Sequence, residues 1–182
     1  MMGKRDAAVL AERHRDKNQG ILYISAGIPG SGKTTFLNKI AGENEVVVSR
    51  DNIRFSLLKD GEDYFSHEDE VFDIFVKEIS KNIKAGKNVY ADATHLTPAS
   101  QLKLLGCVLQ YSSPAAIHYI HFDVPIDICL ARNELRKGTK AYVPRSVIRK
   151  MAGIANFRPC AYIDFCWVID KDGTVSKGEV II

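Results

Sequence analysis

Gly27-Ile28-Pro29-Gly30-Ser31-Gly32-Lys33-Thr34 has the spacing of a phosphate-binding loop: a glycine, four residues, then Gly-Lys-Thr. Glycines let a backbone curl until successive N–H groups point at a triphosphate. A helix starting near Lys33 adds its positive N-terminal end. Lys33 then reaches the outer phosphates, and Thr34 offers a hydroxyl to Mg²⁺. The context supports the match. Ile21 to Ala26 reads as a buried strand, and Thr35 to Ala41 as a short helix with Phe36, Leu37 and Ile40 inward. A glycine-rich surface turn rarely falls between such neighbours.

Downstream, strands alternate with helices. Glu45 to Val48 is a β-branched second strand, running into Ser49-Arg50-Asp51-Asn52-Ile53-Arg54. A helix is expected from about Glu68 to Ala85, from the spacing of Val71, Phe72, Ile74, Phe75, Ile79 and Ile83, with Gly86 as its stop. Asn88 to Ala91 is a third strand, left by Asp92-Ala93-Thr94-His95, and Pro98 to Gln110 a helix. Ala116 to Phe122 is a fourth strand, in which His118 and His121 read as structural. Pro125 opens a helix through Leu135, and Pro144 suits the start of the next. Phe165 to Ile169 is a fifth strand, with a return strand between Val175 and Ile182. The fold expected is α/β, a P-loop NTPase: a mostly parallel five-stranded sheet, helices on both faces and a helical lid. Residues 1–20 are expected to form an arm or helix, and 21–182 one domain with a lid over about 132–144.

Right-handed crossovers place the loop, Asp51 and Asp92 along one edge of such a sheet. Phosphoryl transfer requires a phosphate cradle, a metal, a group that orients the attacking hydroxyl, and positive charge on the transferring group. Asp51 is the candidate base, or else caps the helix that follows it. Arg54, three residues on, shares its face and could hold a phosphate or sugar of the acceptor. Asp92 could bind Mg²⁺ or orient the acceptor, or cap the turn before Pro98. His95 is expected to be exposed, touching substrate or filling the turn. Arg132 and Arg136 stand four apart, followed by Lys137 and Lys140, and could close over the phosphates with a hinge at Gly138.

A chain of 182 residues with 46% hydrophobic content can bury a core as one domain. No stretch is apolar enough to span a membrane. Cys107, Cys129, Cys160 and Cys166 form no C-x-x-C pair and read as reduced core residues, which points to cytoplasm. The net charge of +3 is uninformative, but its distribution is not. Arg132 to Lys150 carries seven basic residues against Glu134, whereas Asp60 to Asp73 carries seven acids without Lys or Arg. The acidic run reads as a solvated helix face, with Ser66 as N-cap and Glu68, Asp69 and Glu70 in the first turn.

Three segments together, the phosphate loop, Ser49 to Arg54 and Arg132 to Pro144, resemble the kinase domain of phage-type polynucleotide 5′-hydroxyl kinases. The likeness runs from Ile21 to about Phe157. The Arg-Asp-x-x-Arg step is more telling than the loop, and the Gly138-Thr139-Lys140-Ala141 lid with its Pro144 more telling still. The resemblance implies ATP- and Mg²⁺-dependent transfer of the γ-phosphate to a 5′-OH end of DNA or RNA. Asp51 would act as general base, Arg54 would contact the acceptor, and the lid arginines would hold ATP. The nucleotide set is then Gly27, Gly30, Ser31, Gly32, Lys33, Thr34, Thr35, Arg132 and Arg136, with catalysis by Lys33, Asp51, Arg54 and Arg136. Thr34 and Asp92 would serve the metal, and Asp51, Arg54, Asp92 and His95 the acceptor. The lid carries one more residue than the phage pattern between Arg132 and Gly138, so either Arg136 or Lys137 fills the second place. Many relatives carry Asn where His95 stands. A separate end-healing or ligase partner is expected, since no such segment follows Ile182.

Two other readings share these residues. One is a phosphotransferase acting on a small metabolite or nucleotide sugar, similar to zeta toxins. The other is a non-catalytic nucleotide-binding module, against which the full set of Lys33, Thr34, Asp51 and arginines argues.

Overall fold

The computed structural model describes residues 15–178. A six-stranded sheet forms its centre, made of β1 (Leu22–Ala26), β2 (Glu45–Ser49), β3 (Asn88–Asp92), β4 (Ile117–Phe122), β5 (Phe165–Ile169) and β6 (Val175–Gly178), in the order β2-β3-β1-β4-β5-β6. The first five are parallel, and β6 returns antiparallel to β5 along an edge. The five-stranded expectation therefore describes the parallel part, and the Asp170–Gly173 turn adds a sixth strand.

Among the described residues six helices connect the strands: α1 (Lys33–Ile40), α2 (Arg50–Leu57), α3 (Glu68–Lys84), α4 (Pro98–Val108), α5 (Ile126–Glu134) and α6 (Arg145–Ile154). Alternate residues of each strand face opposite layers. Leu22, Ile24, Val89, Ala91, Ile117 and Tyr119 pack against Phe75, Ile79 and Ile83 of α3 and Leu104, Leu105 and Val108 of α4. On the other face Tyr90, Ile120, Phe122 and Ile169 meet Leu37 of α1. Ile40 departs from expectation and lies 42% exposed, so Leu37 and the half-buried Phe36 carry that contact. A third cluster, Ile28, Val124, Cys129, Leu130 and Ile148, seats α5 and α6 beneath the phosphate loop.

His118 accepts a hydrogen bond from Trp167 Nε1 at 3.2 Å, and His121 stacks on Phe157 at 4.6 Å. Cys129, Cys160 and Cys166 are buried and Cys107 half-buried. Three expectations about helix ends are corrected. His67, not Ser66, occupies the N-cap position of α3, without a side-chain capping bond. Helix α4 ends at Val108 rather than Gln110. Helix α5 ends at Glu134, so the break comes before Gly138, and residues 135–141 form turns rather than further helix. Of the expected N-terminal arm, residues 15–20 form a turn, and Arg15 pairs with Asp164. Residues 1–14 lie outside the described part.

One buried side chain ties the segment that leads into β5 to the core. Gln101, fully buried on α4, donates to Arg158 O at 3.0 Å and accepts from Cys160 N at 2.9 Å. Gln101→Leu should leave both backbone groups unpaired and cost about 2–3 kcal/mol. Urea unfolding should show this as a lower midpoint with an unchanged slope.

Candidate active site

The phosphate loop leaves β1 at Ala26, and Gly27 N donates to Thr94 O at 3.0 Å. Gly30 (φ +87°) passes so close to α5 that a Cβ would lie 2.2 Å from Cys129 O. Gly32 (φ +92°) takes the N-cap position of α1, where its lack of a side chain leaves the first-turn amides open to an anion. Lys33 folds back over this loop. Its Nζ donates to Gly27 O at 2.8 Å, Ile28 O at 3.1 Å and Ser31 Oγ at 3.3 Å. Burial pushes its pKa down, and the negative charges of Asp92 and Asp51 oppose that shift. Thr35 follows in the exposed first turn of α1.

Thr34 Oγ1 donates to Asp92 Oδ2 at 2.6 Å. Asp92 ends β3 and is 4% exposed. Burial raises its pKa, while the Thr34 hydrogen bond, the Lys33 charge and the Ser49 hydroxyl hold it down. Among the described residues no group of three acidic, His or Cys side chains could hold a metal alone. The oxygens of Thr34 and Asp92 instead suit a Mg²⁺ that completes its shell with water and nucleotide phosphate.

Asp92 pairs in register with Ser49, the last residue of β2. Ser49 Oγ caps α2 by accepting from Asn52 N, so the cap falls to Ser49, leaving Asp51 in the first turn with its side chain 62% exposed. Asp51 Oδ1 accepts from Arg54 Nη1 at 2.5 Å and Tyr64 Oη at 2.8 Å. Arg54 is 5% exposed and reaches inward rather than out to solvent. Its Nη1 also donates to Tyr64 Oη at 2.7 Å, its Nη2 to Glu68 Oε2 at 2.7 Å, and its Cζ lies 4.3 Å from the Tyr64 ring centre. Arg50 pairs with the same Glu68. Glu68 thus departs from the expected solvated face: it anchors two arginines behind Asp51.

Arg132 lies against the loop, its Nη1 3.4 Å from Ser31 O and its Nη2 2.8 Å from Lys171 O. Arg136 stands beyond the end of α5 rather than on a continuous helical face, with its N donating to Asn133 O at 3.0 Å. Its positive charge still helps to depress the Lys33 pKa. Lys137 and Lys140 are exposed. Fully buried Asn133 closes the loop from α5 to Val143, donating to Val143 O at 2.7 Å and accepting from Val143 N at 3.0 Å.

His95 departs most from expectation. It is 6% exposed, its Nδ1 lies 2.8 Å from Ser25 O, and its φ is +36°. It fills the turn next to Thr94, whose carbonyl holds Gly27. Burial lowers its pKa to about 4, so the ring is neutral. His, like Asn, tolerates positive φ better than most residues. Tyr64, Glu68 and Asn133 had no sequence signal of their own.

The profile of the AAA domain family matches residues 22–159. A chain in the structure of the Pnkp1/Rnl/Hen1 RNA repair complex is 25% identical, with a TM-score of 0.64 over 79% of this chain and 45% of that one. The present chain thus spans less than half of that relative. Kti12 of Chaetomium thermophilum, in complex with ADP-AlF3, is 12% identical, with a TM-score of 0.59 over 82% of this chain and 88% of that one. A gluconokinase from Sinorhizobium meliloti is 15% identical, with a TM-score of 0.51 over 86% and 84%. These last two share the fold. No curated protein sequence is similar enough to count as a match.

An unfolded imidazole titrates near its ordinary 6.5, whereas folded His95 resists protonation until about pH 4. The unfolded chain therefore binds the extra proton between those values. His95 contributes its full stability above about pH 6.5 and loses it as the pH falls toward 4, by about 3 kcal/mol. His95→Asn should flatten this part of the stability curve, measured as urea midpoints at pH 7 and pH 5 for both proteins.

Proposed function

Because the chain belongs to the AAA domain family and is a P-loop kinase, we propose that its acceptor is the 5′-hydroxyl end of a polynucleotide and its donor ATP. The observation that carries this reading is the placement of Asp51. Its Oδ1 is held by Arg54 and Tyr64, on the same rim as Lys33 and the Thr34–Asp92 pair, and Asp51 acts electrostatically on both Lys33 and Asp92. The chain of the RNA repair complex supports the choice of acceptor by its likeness.

The loop amides and Lys33 would hold the nucleotide phosphates, and Thr34 and Asp92 the Mg²⁺. When bound, the cation supplies neutralising charge for the phosphates. Asp51, through Oδ2, would orient the acceptor and take its proton as the new O–P bond forms and the bond from the γ-phosphorus to the β,γ-bridging oxygen breaks, leaving ADP. Arg54, buried and paired, would fix Asp51 rather than contact the acceptor itself. Arg132 and Arg136 would offset charge on the transferring group. A separate end-healing or ligase partner fits this reading.

One observation favours a small acceptor instead. Tyr64 and Glu68 belong to the acidic run from Asp60 to Asp73, so that run borders Asp51 and opposes a long polyanion. The decisive experiment supplies labelled ATP and Mg²⁺ with a 5′-OH oligonucleotide, a 5′-phosphorylated control and a sugar-acid acceptor. Transfer to the 5′-OH end alone supports the polynucleotide reading, and transfer only to the sugar acid overturns it.

Asp51→Asn should fold and bind ATP normally while turnover falls about 10²- to 10⁴-fold. Near-normal turnover would remove the assigned base. Arg136→Ala should slow transfer more than Arg145→Ala, because Arg145 faces Glu134 at 3.4 Å whereas the charge of Arg136 reaches Lys33. Single-turnover rates of the two variants check this.

A further inference from the structure

Phe65 leaves 59% of its surface in solvent. Its ring stands edge-on to Tyr64, with centroids 4.9 Å apart and planes at 86°. Tyr64 cannot swing away cheaply, since its hydroxyl donates to Asp51 and its ring lies under the Arg54 guanidinium. Burial, then the Asp51 charge, hold the phenol protonated and therefore donating. Phe55 packs against the same ring at 6.3 Å. An exposed aromatic is thus rigidly mounted one side chain away from the carboxylate that faces the acceptor.

Its margin is acidic. Phe65, Ser66, His67, Glu68, Asp69 and Glu70 line an open cavity of about 320 Å³. Asp69 and Glu70 repel a phosphate, so an uncharged planar group suits the space beside Phe65 better than a nucleic-acid backbone.

We propose that Phe65, seated on Tyr64, is the stacking subsite for the terminal nucleobase of the acceptor, which makes the chain selective for an alcohol borne by a nucleoside over a polyol. This rests on the polynucleotide reading above and narrows it. Base–aromatic stacking tolerates any base, because every base offers a π-face. The terminal nucleoside of a 5′-OH strand brings no phosphate of its own on the 5′ side. A phosphorylated end would place a dianion beside Asp51 and the acidic run, so the same surface favours substrate over product.

The test compares three acceptors, an oligonucleotide with a 5′-terminal base, the same strand with an abasic 5′-terminal sugar, and a sugar acid. Wild-type kcat/KM should fall about tenfold or more from the first acceptor to the second. Phe65→Ala should lower kcat/KM on the base-bearing end to the abasic level and leave the KM for ATP unchanged, and Phe65→Trp should restore the preference. If Phe65→Ala matches wild type on both strands, the stacking subsite is overturned while the polynucleotide reading stands. If wild type phosphorylates the sugar acid and neither strand, both fall.

Discussion

The hydrogen bond from Thr34 Oγ1 to Asp92 Oδ2, at 2.6 Å, joins the two halves of the site. It fixes the first turn of α1 to the end of β3. Asp92 in turn meets Ser49, which ends β2 and caps α2, and α2 carries Asp51 in its first turn. A short polar chain thus runs from the phosphate loop to the candidate base across two neighbouring strand ends. Burying a carboxylate costs several kcal/mol unless it gains donors and positive charge. Thr34, Ser49 and Lys33 supply them, so Asp92 is held where the sheet topology delivers it.

The loop is held from three other directions. Thr94 O accepts from Gly27, the Cys129 carbonyl sits against Gly30, and Arg132 touches Ser31. The first contact depends on a turn that His95 fills at positive φ, and the second on the small apolar cluster beneath α5. Interactions prepared before a ligand arrives need little reorganisation when charge develops. Lys33, drawn over the loop carbonyls, is the exception. In the proposed reaction it would exchange those acceptors for phosphate oxygens, and its lowered pKa reflects the cost of its burial.

Much of this was legible in the sequence. The phosphate loop, the strand ends at Ser49 and Asp92 and the apolar period of α3 place the fold and the rim, because each is a local pattern. What stayed hidden depends on contacts between segments distant in sequence. Spacing pairs Asp51 with Arg54, but Glu68 reads as a solvated acid until α3 is seen packed beside α2. Arg54 accordingly reads as a group reaching for the acceptor, whereas it lies buried with its guanidinium over the Tyr64 ring. The end of α5 is misjudged because Leu135 continues the helical pattern, yet it lies 88% exposed past the last turn. Asn133 has no pattern at all; only the fold of residues 135–143 reveals what it closes.

In the proposed reaction Asp51 and Lys33 face one another across the space in which transfer occurs. A crystal structure with Mg²⁺, a non-hydrolysable ATP analogue and a 5′-OH dinucleotide measures this directly. The 5′ oxygen should lie within hydrogen-bonding reach of the Asp51 carboxylate, in line with a terminal phosphate held by Lys33. An acceptor bound elsewhere, or an Asp51 side chain turned away from it, would remove Asp51 as the base.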